Sequence, residues 1–117
     1  MHELSITKSL IRDIKQACES NQISAAKSIN VELGMLTTYK KEPLIHYFNA
    51  LKPNSPVISN AELIVKEIPG KIYCKNCQKE SAVNDTTQIF CKKCESFDVI
   101  IIDGMDIRLK SITENEE

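Results

Sequence analysis

Four cysteines arranged in two C-x-x-C pairs are the residues of this sequence best suited to chemistry. Cys74 and Cys77 form the first pair, and after 13 further residues Cys91 and Cys94 form the second. Two residues between cysteines let one tight turn present both sulfurs to one ion, and two such turns complete a tetrahedron of soft ligands. Four sulfur ligands leave no open coordination position. The pattern therefore predicts a structural metal site with zinc as the expected ion.

Three other interpretations of these cysteines are open. Disulfides are disfavoured because a reducing compartment is expected and because the total of five cysteines is odd. An iron site of the rubredoxin kind uses similar turns, but those turns usually carry Gly or Pro, whereas here they read CKNCQ and CKKCE. A redox-active dithiol explains two complete pairs less well than one shared ion does.

The segment around these cysteines differs in composition from the rest of the chain. The stretch YCKNCQKESAVNDTTQIFCKKC has few large apolar residues, so we expect that it cannot build a core of its own. Such a segment normally needs a disulfide or a bound metal ion to fold stably. Structural zinc contributes on the order of 10–16 kcal/mol of apparent binding free energy at neutral pH. We expect the segment to unfold without metal.

A second candidate metal site lies at the amino terminus, where the sequence begins MHEL. The α-amine of Met1, the amide nitrogen of His2 and the His2 imidazole can close adjacent chelate rings around one divalent ion. Nitrogen donors in one plane suit Ni(II) or Cu(II), whereas zinc prefers a tetrahedron. On residue chemistry alone, an exposed terminal histidine with no role is an equal alternative.

Two further residues that could bind metal have structural interpretations. Cys18 lies on the apolar face of a predicted helix, where a thiol packs as a small hydrophobic side chain. His46 lies on the opposite side of its predicted helix from Leu44 and Phe48, which predicts a solvent-facing imidazole.

Composition and charge limit the function. Of 117 residues, 42% are hydrophobic and 26% charged, and no apolar run approaches the ~20 residues that cross a bilayer, so we expect no membrane association. Lys and Arg number 15 against 16 Asp and Glu, a balance that does not favour nucleic-acid binding. The first 20 residues carry several charges instead of an apolar signal segment, which predicts a cytoplasmic protein.

Hydrophobic periodicity predicts two helices and three strands. One helix covers residues 4–18 and begins near Ser5, and the other begins at Glu42-Pro43. The strands cover residues 28–34, 61–68 and 105–112, and the closing TENEE is expected to be a solvated tail. The residues expected to face the core are Leu10, Ile11, Ile14, Ile29, Val31, Leu33, Leu44, Tyr47, Phe48, Leu51, Leu63, Val65, Met105, Ile107 and Leu109.

These elements predict an α+β fold in which two helices pack on a small three-stranded sheet, with an inserted four-cysteine zinc-ribbon domain. The expected organisation is a first domain over residues 1–70, the cysteine domain over residues 71–104, and a returning strand with an acidic tail over residues 105–117.

Three features together resemble the HypA/HybF family of nickel metallochaperones for [NiFe]-hydrogenase maturation. They are the MHEL start, the helix-strand-helix-strand order, and the paired cysteines followed by a returning strand. The resemblance runs over essentially the whole chain. It implies that His2 binds nickel transiently with Glu3 as its neighbour, and that Cys74, Cys77, Cys91 and Cys94 bind structural zinc.

The resemblance also implies partners. Members of the family carry nickel with a GTPase that supplies it, HypB, and deliver it to the [NiFe]-hydrogenase large-subunit precursor; some members also serve urease. The expected protein is a carrier and not an enzyme, and it is a monomer or a weak homodimer. In this sequence the loop MLTTYKK has no carboxylate, so the expected co-ligands of nickel are terminal backbone nitrogens or Glu3.

The main rival is a zinc-ribbon module that binds nucleic acid or another protein. Five lysines in the cysteine domain, residues 71–104, support it, but Glu80, Asp85 and Glu95 partly neutralise their positive charge. An enzyme is the weakest candidate, because the sequence offers no recognisable nucleophile–base pair and no open zinc position.

Overall fold

The computed structural model describes residues 2–115, apart from the side chain of His2. The chain divides into two compact units. The first comprises the chain up to Glu32, Tyr39–Lys66 and the chain from Arg108 onward, and the second comprises Leu33–Thr38 and Glu67–Ile107. The domain boundaries expected at residues 70/71 and 104/105 stay a prediction.

The helices are α1 (His2–Ser20) and α2 (Lys41–Leu51). The strands are β1 (Ala26–Gly34), β2 (Glu62–Ile68), β3 (Gly70–Cys74), β4 (Glu80–Val83), β5 (Val99–Asp103) and β6 (Ile107–Glu114). Short 3-10 helices cover Lys52–Asn54, Pro56–Ile58 and Thr86–Gln88.

Helix α1 buries the apolar stripe that its periodicity predicts, which comprises Leu10, Ile11, Ile14 and Cys18. Its predicted start near Ser5 is wrong, because the helix begins at His2. The reason lies in the first turn, where Glu3 complements the positive partial charge of the helix start and Leu4 has a high helix propensity. Ser5 is therefore inside the helix and not its cap, and the buried Thr7 hydroxyl donates a hydrogen bond to the Glu3 carbonyl within the same turn.

The sheet that the periodicity predicts has the strand order β2-β1-β6. Its central strand β1 buries Ile29 and Val31 on one face, and β2 buries Leu63 and Val65, as predicted. Helices α1 and α2 pack against each other, and α2 contributes Leu44 and Phe48, which are fully buried. Tyr47 and Leu51 of the expected stripe are half-buried. The predicted α+β fold of two helices and a three-stranded sheet is confirmed.

The last strand departs from its prediction at both ends. It begins at Ile107 and not at Met105, whose side chain is 52% exposed. It continues through Glu114, so the first two residues of the expected tail belong to the sheet. Backbone pairing does not require apolar side chains, and the Asn115 amide still donates to the Ala25 carbonyl at 2.8 Å.

Sequence patterning alone does not predict the second sheet, whose strand order is β4-β3-β5. Both pairings are antiparallel, with Tyr73 opposite Glu80 on one side and opposite Ile100 on the other. This sheet carries a small core of Leu36, Ile72 and Val83, with Ile89 and Val99 packed against it.

The expectation that the cysteine segment lacks a core therefore needs correction. Val83 and Ile89 come from that stretch, Ile72 and Val99 come from the residues that flank it, and Leu36 comes from the chain after β1. The number of large apolar residues between Tyr73 and Cys94 does not reveal this core, because Leu36 lies far from the cysteines in the chain.

The three glycines of the sequence meet within the second unit. A Cβ at Gly34 would lie 2.1 Å from the Gly104 carbonyl oxygen, and one at Gly104 would lie 2.5 Å from the Gly70 Cα. Gly104 also has a φ of +97°, which side chains disfavour. Its carbonyl accepts a hydrogen bond from the Leu36 amide at 2.9 Å. Only glycine allows these backbones to approach so closely.

Over residues 2–115, no helix is long and apolar enough to cross a membrane.

Replacing Gly104 by Ala should destabilise the metal-loaded protein by about 2 kcal/mol or more, because strained backbone and overpacking each cost about 1–3 kcal/mol. Chemical denaturation followed by circular dichroism measures the loss. Asn84→Ala, at an exposed position of the same unit, is the matched control and should change stability little. Equal stability of the two variants would contradict the glycine argument.

Candidate metal centre

The four paired cysteines converge on one point. Their sulfur atoms all lie within 4.8 Å of one another. The Cys74 and Cys94 sulfurs are 3.6 Å apart, and so are the Cys77 and Cys91 sulfurs. A tetrahedral ion with ~2.3 Å bonds to sulfur separates its ligands by ~3.8 Å, so the cluster has the dimensions of such a site. Each close contact joins one pair to the other, as a shared ion requires.

The first pair is held by a tight turn at the end of β3. The Gln78 amide donates to the Cys74 carbonyl at 2.8 Å, and the Cys74 amide donates to the Lys79 carbonyl at 2.9 Å. Gln78 closes the turn in the left-handed region, with a φ of 60°. The Cys77 amide donates a hydrogen bond to the Cys74 sulfur at 3.4 Å.

The second pair repeats this turn. The Glu95 amide donates to the Cys91 carbonyl at 2.7 Å, the Cys91 amide donates to the Ser96 carbonyl at 2.9 Å, and Glu95 has a φ of 62°. Gln78 and Glu95 thus occupy equivalent positions, each directly after the second cysteine of its pair. The two halves of the site are built alike, although neither has the glycine that a left-handed residue usually favours.

The electrostatics of the cluster favour the thiolate form at two of the four sulfurs, those of Cys91 and Cys94. Backbone amides of Cys94 and Lys93 lower the pKa of the Cys91 thiol to about 6, so it is ionised at neutral pH. The Asn76 side-chain amide, 3.5 Å from the Cys94 sulfur, is the main cause of a lowered pKa there. Asn76 was not singled out from the sequence, although an amide inside a C-x-x-C turn is a signal that could have found it.

Cys77 behaves in the opposite way. Desolvation, followed by its sulfur neighbours Cys91, Cys74 and Cys94, raises the pKa of the Cys77 thiol to about 12. Without a cation, the thiolates of so compact a group repel one another, and Cys77 keeps its proton. A metal ion must displace that proton when it binds, so lower pH weakens binding.

The burial of the cluster leaves one side open to solvent. Cys74 and Cys91 are fully buried, Cys77 is half-buried and Cys94 is exposed. The fifth cysteine does not join the cluster: Cys18 is 1% exposed in α1, as predicted, and burial raises the pKa of its thiol. It is unreactive core packing.

The candidate residues at the amino terminus lie largely outside the described part of the chain. The backbone of His2 is the first residue of α1, but its imidazole and all of Met1 fall outside that part. Glu3 lies in the first turn of α1 and is half-buried. His46 is exposed, as predicted, and its ring lies edge-on to Tyr47 at 5.4 Å.

The chain is similar to a known family over nearly its full length. Residues 1–114 match the family model described as "Hydrogenase/urease nickel incorporation, metallochaperone, hypA". The hydrogenase maturation factor HypA of Campylobacter jejuni is 32% identical over 109 residues, which cover 93% of this chain and 95% of that protein. The HypA of Aquifex aeolicus is 34% identical over 112 residues, with 96% of each chain covered.

Solved structures agree with this likeness. The solution structure of the Ni metallochaperone HypA from Helicobacter pylori matches with a TM-score of 0.75 at 27% identity, over 98% of both chains. A second match, titled "Solution structure of HypA protein", has a TM-score of 0.74 at 28% identity and covers all of this chain. This chain therefore belongs to the HypA family of nickel metallochaperones for hydrogenase maturation.

Proposed function

We propose that this protein binds Ni(II) at its amino terminus and helps to insert it into the [NiFe]-hydrogenase large subunit during maturation. The observation that carries the proposal is the family match, which begins at the first residue and whose description specifies nickel incorporation. The partners that we propose are the GTPase HypB as nickel donor and the large-subunit precursor as acceptor. The family description also names urease, which makes urease maturation proteins further candidates.

The start of α1 supports a chelate of the Met1 amine, the His2 amide nitrogen and the His2 imidazole. The first four amides of a helix have no carbonyl partner inside the helix. Because His2 is the first residue of α1, its amide can lose its proton to nickel without breaking a helical hydrogen bond. The planar nitrogen set matches the geometry that Ni(II) prefers.

The same position also explains why the ion would be released easily. The amino-terminal end of a helix carries a positive partial charge, which opposes a bound cation. Glu3 in the first turn offsets that charge with a carboxylate and offers a further oxygen ligand. Binding also needs a neutral imidazole and an ionised amide, so acid releases the nickel. A site balanced in this way suits a carrier, which must deliver its ion.

For the cysteine cluster we propose a structural zinc ion. The sulfur separations of 3.6 Å agree with ligands around a tetrahedral ion, and a disulfide would need ~2.05 Å. Four thiolates complete the coordination of zinc and leave no position for a substrate, so we propose no catalytic role. When bound, zinc would tie the end of β3 to the turn that begins at Cys91. Thiols kept reduced for this purpose fit the cytoplasmic location that we propose.

The two histidines of the sequence provide a matched test of the nickel site. His2→Ala should weaken Ni(II) binding at least 100-fold, because it removes the only side-chain nitrogen of the chelate. His46→Ala, at an exposed position on α2, should bind nickel like the wild type. Isothermal titration of untagged protein at pH 7.5 measures both. Equal loss in the two variants, or no loss in His2→Ala, would refute the assignment.

The cysteines provide a similar test of the zinc site. Cys94→Ser should lower the zinc content of the purified protein well below one ion per chain and lower the thermal midpoint of the second unit, because it removes one of four ligands. Cys18→Ala, a cysteine outside the cluster, should retain one zinc ion. Elemental analysis and thermal unfolding with and without a chelator measure these effects. Full zinc content in Cys94→Ser would contradict a four-sulfur site.

A further inference from the structure

Strand β5 and its flanking residues expose unusually many apolar side chains. Strand β5 reads VIIID, and its three isoleucines are 38–44% exposed. Of the seven large hydrophobic side chains that are exposed among the described residues, five lie between Phe97 and Met105. We call the segment from Phe97 to Met105 the apolar edge. Apolar exposure concentrated in one segment marks a binding surface more often than scattered exposure does.

The backbone of the apolar edge is available for pairing. Strand β5 ends the order β4-β3-β5, and within residues 2–115 its ladder partner is β3 alone. Alternate amides and carbonyls of such a strand point away from the sheet and can pair with another strand. A register shift opposite Lys71 and Ile72 leaves Ile102 without a partner residue, so the regular edge that another strand could extend covers Val99 to Ile101.

The other sheet edges carry the features that normally prevent such pairing. Strand β4, on the opposite edge, has four residues and reads ESAV. The two edge strands of the other sheet carry charges along their length, at Glu62, Lys66 and Glu67 in β2 and at Arg108, Lys110 and Glu114 in β6. Strand β5 has no charge between Val99 and Ile102 and no proline, and the register shift at Ile102 is the one irregularity that interrupts its edge.

The charges at the two ends of β5 specify what it pairs with. Asp98 precedes the strand and Asp103 ends it. On the inner edge, β3 provides an apolar centre between two lysines: the backbone of Lys71 lies opposite Asp103 while its Nζ lies 3.8 Å from Glu80 Oε1, and the Lys75 backbone amide donates to the Asp98 carbonyl at 3.0 Å. A strand on the outer edge lies beside the same two aspartates; Asp103 is half-buried and accepts a hydrogen bond from the Gly104 amide at 2.9 Å, so the exposed Asp98 is the more accessible charge.

We propose that the apolar edge binds an extended apolar segment of a partner protein that carries Lys or Arg at its ends, by adding it to the sheet beside β5. A second copy of this chain fits less well, because pairing two β5 strands concentrates four aspartates at the ends of the ladder. The inference goes beyond the proposed nickel carriage and does not depend on nickel.

Synthetic peptides test the proposal with the zinc-loaded full chain. The probe is a labelled peptide of alternating valine and threonine with lysine at both ends, and its control has glutamate at both ends. Fluorescence anisotropy should show saturable binding of the lysine peptide, at least tenfold tighter than that of the glutamate peptide. Amide NMR shifts should concentrate between Phe97 and Met105.

Two isoleucines of nearly equal exposure give the matched variants. Ile102→Lys should weaken the lysine peptide at least tenfold, whereas Ile64→Lys on β2 should leave it unchanged; the two side chains are 43% and 42% exposed. Asp98→Lys should weaken the lysine peptide and strengthen the glutamate peptide. Zinc content and circular dichroism verify that each variant is folded.

Several results would overturn the proposal. They are the absence of saturable binding, shifts outside the apolar edge, equal effects of Ile102→Lys and Ile64→Lys, or no response to Asp98→Lys. A dimer in sedimentation experiments that Ile102→Lys abolishes and the lysine peptide fails to disrupt would assign the surface to a second copy instead.

Discussion

The convergence of two separate cysteine turns is the constraint on which the second unit depends. Only Leu36, Ile72 and Val83 are buried in its apolar cluster, and each contributes about 1.5–3 kcal/mol. That is little against the conformational entropy lost when the chain from Glu67 to Ile107 becomes ordered. The sulfur cluster adds the missing connection, because it joins the end of β3 to a turn 17 residues later in the chain. The glycines at 34, 70 and 104 then allow the surrounding backbone to close tightly.

The parts of the fold that could be predicted from the sequence are those with local signals. The period of α1 and the alternation in β1 show which faces are buried, and the spacing within each C-x-x-C pair fixes a turn. The second sheet could not be predicted in this way, because its core needs Leu36 from a distant part of the chain. The start of α1 is predicted too late because Ser5 resembles a helix cap, whereas the helix includes Glu3 and Leu4 in its first turn.

The candidate metal-binding residues also differ in how far they can be predicted from the sequence. Spacing alone singled out the four cysteines, and the structure brings their sulfurs together, whereas the hydrogen bonds that tune them come from Asn76 and from backbone amides. His2 is different, because residue chemistry left its role undecided. Membership of the HypA family makes nickel the expected cargo, and the start of α1 at His2 adds a physical reason why the terminal amide is available.

The central claim is that nickel binds to nitrogen atoms that exist together only at the free amino terminus. The most direct measurement compares Ni(II) titration of the zinc-loaded protein with that of the same protein carrying three additional alanines before Met1, because a single added residue would let the new amine, two amide nitrogens and the His2 imidazole form another planar nitrogen site. The extension leaves every side chain in place and removes only the amine from chelating distance. Tight nickel binding should be lost while zinc content and fold are unchanged. Nickel affinity equal to that of the unextended protein would contradict it.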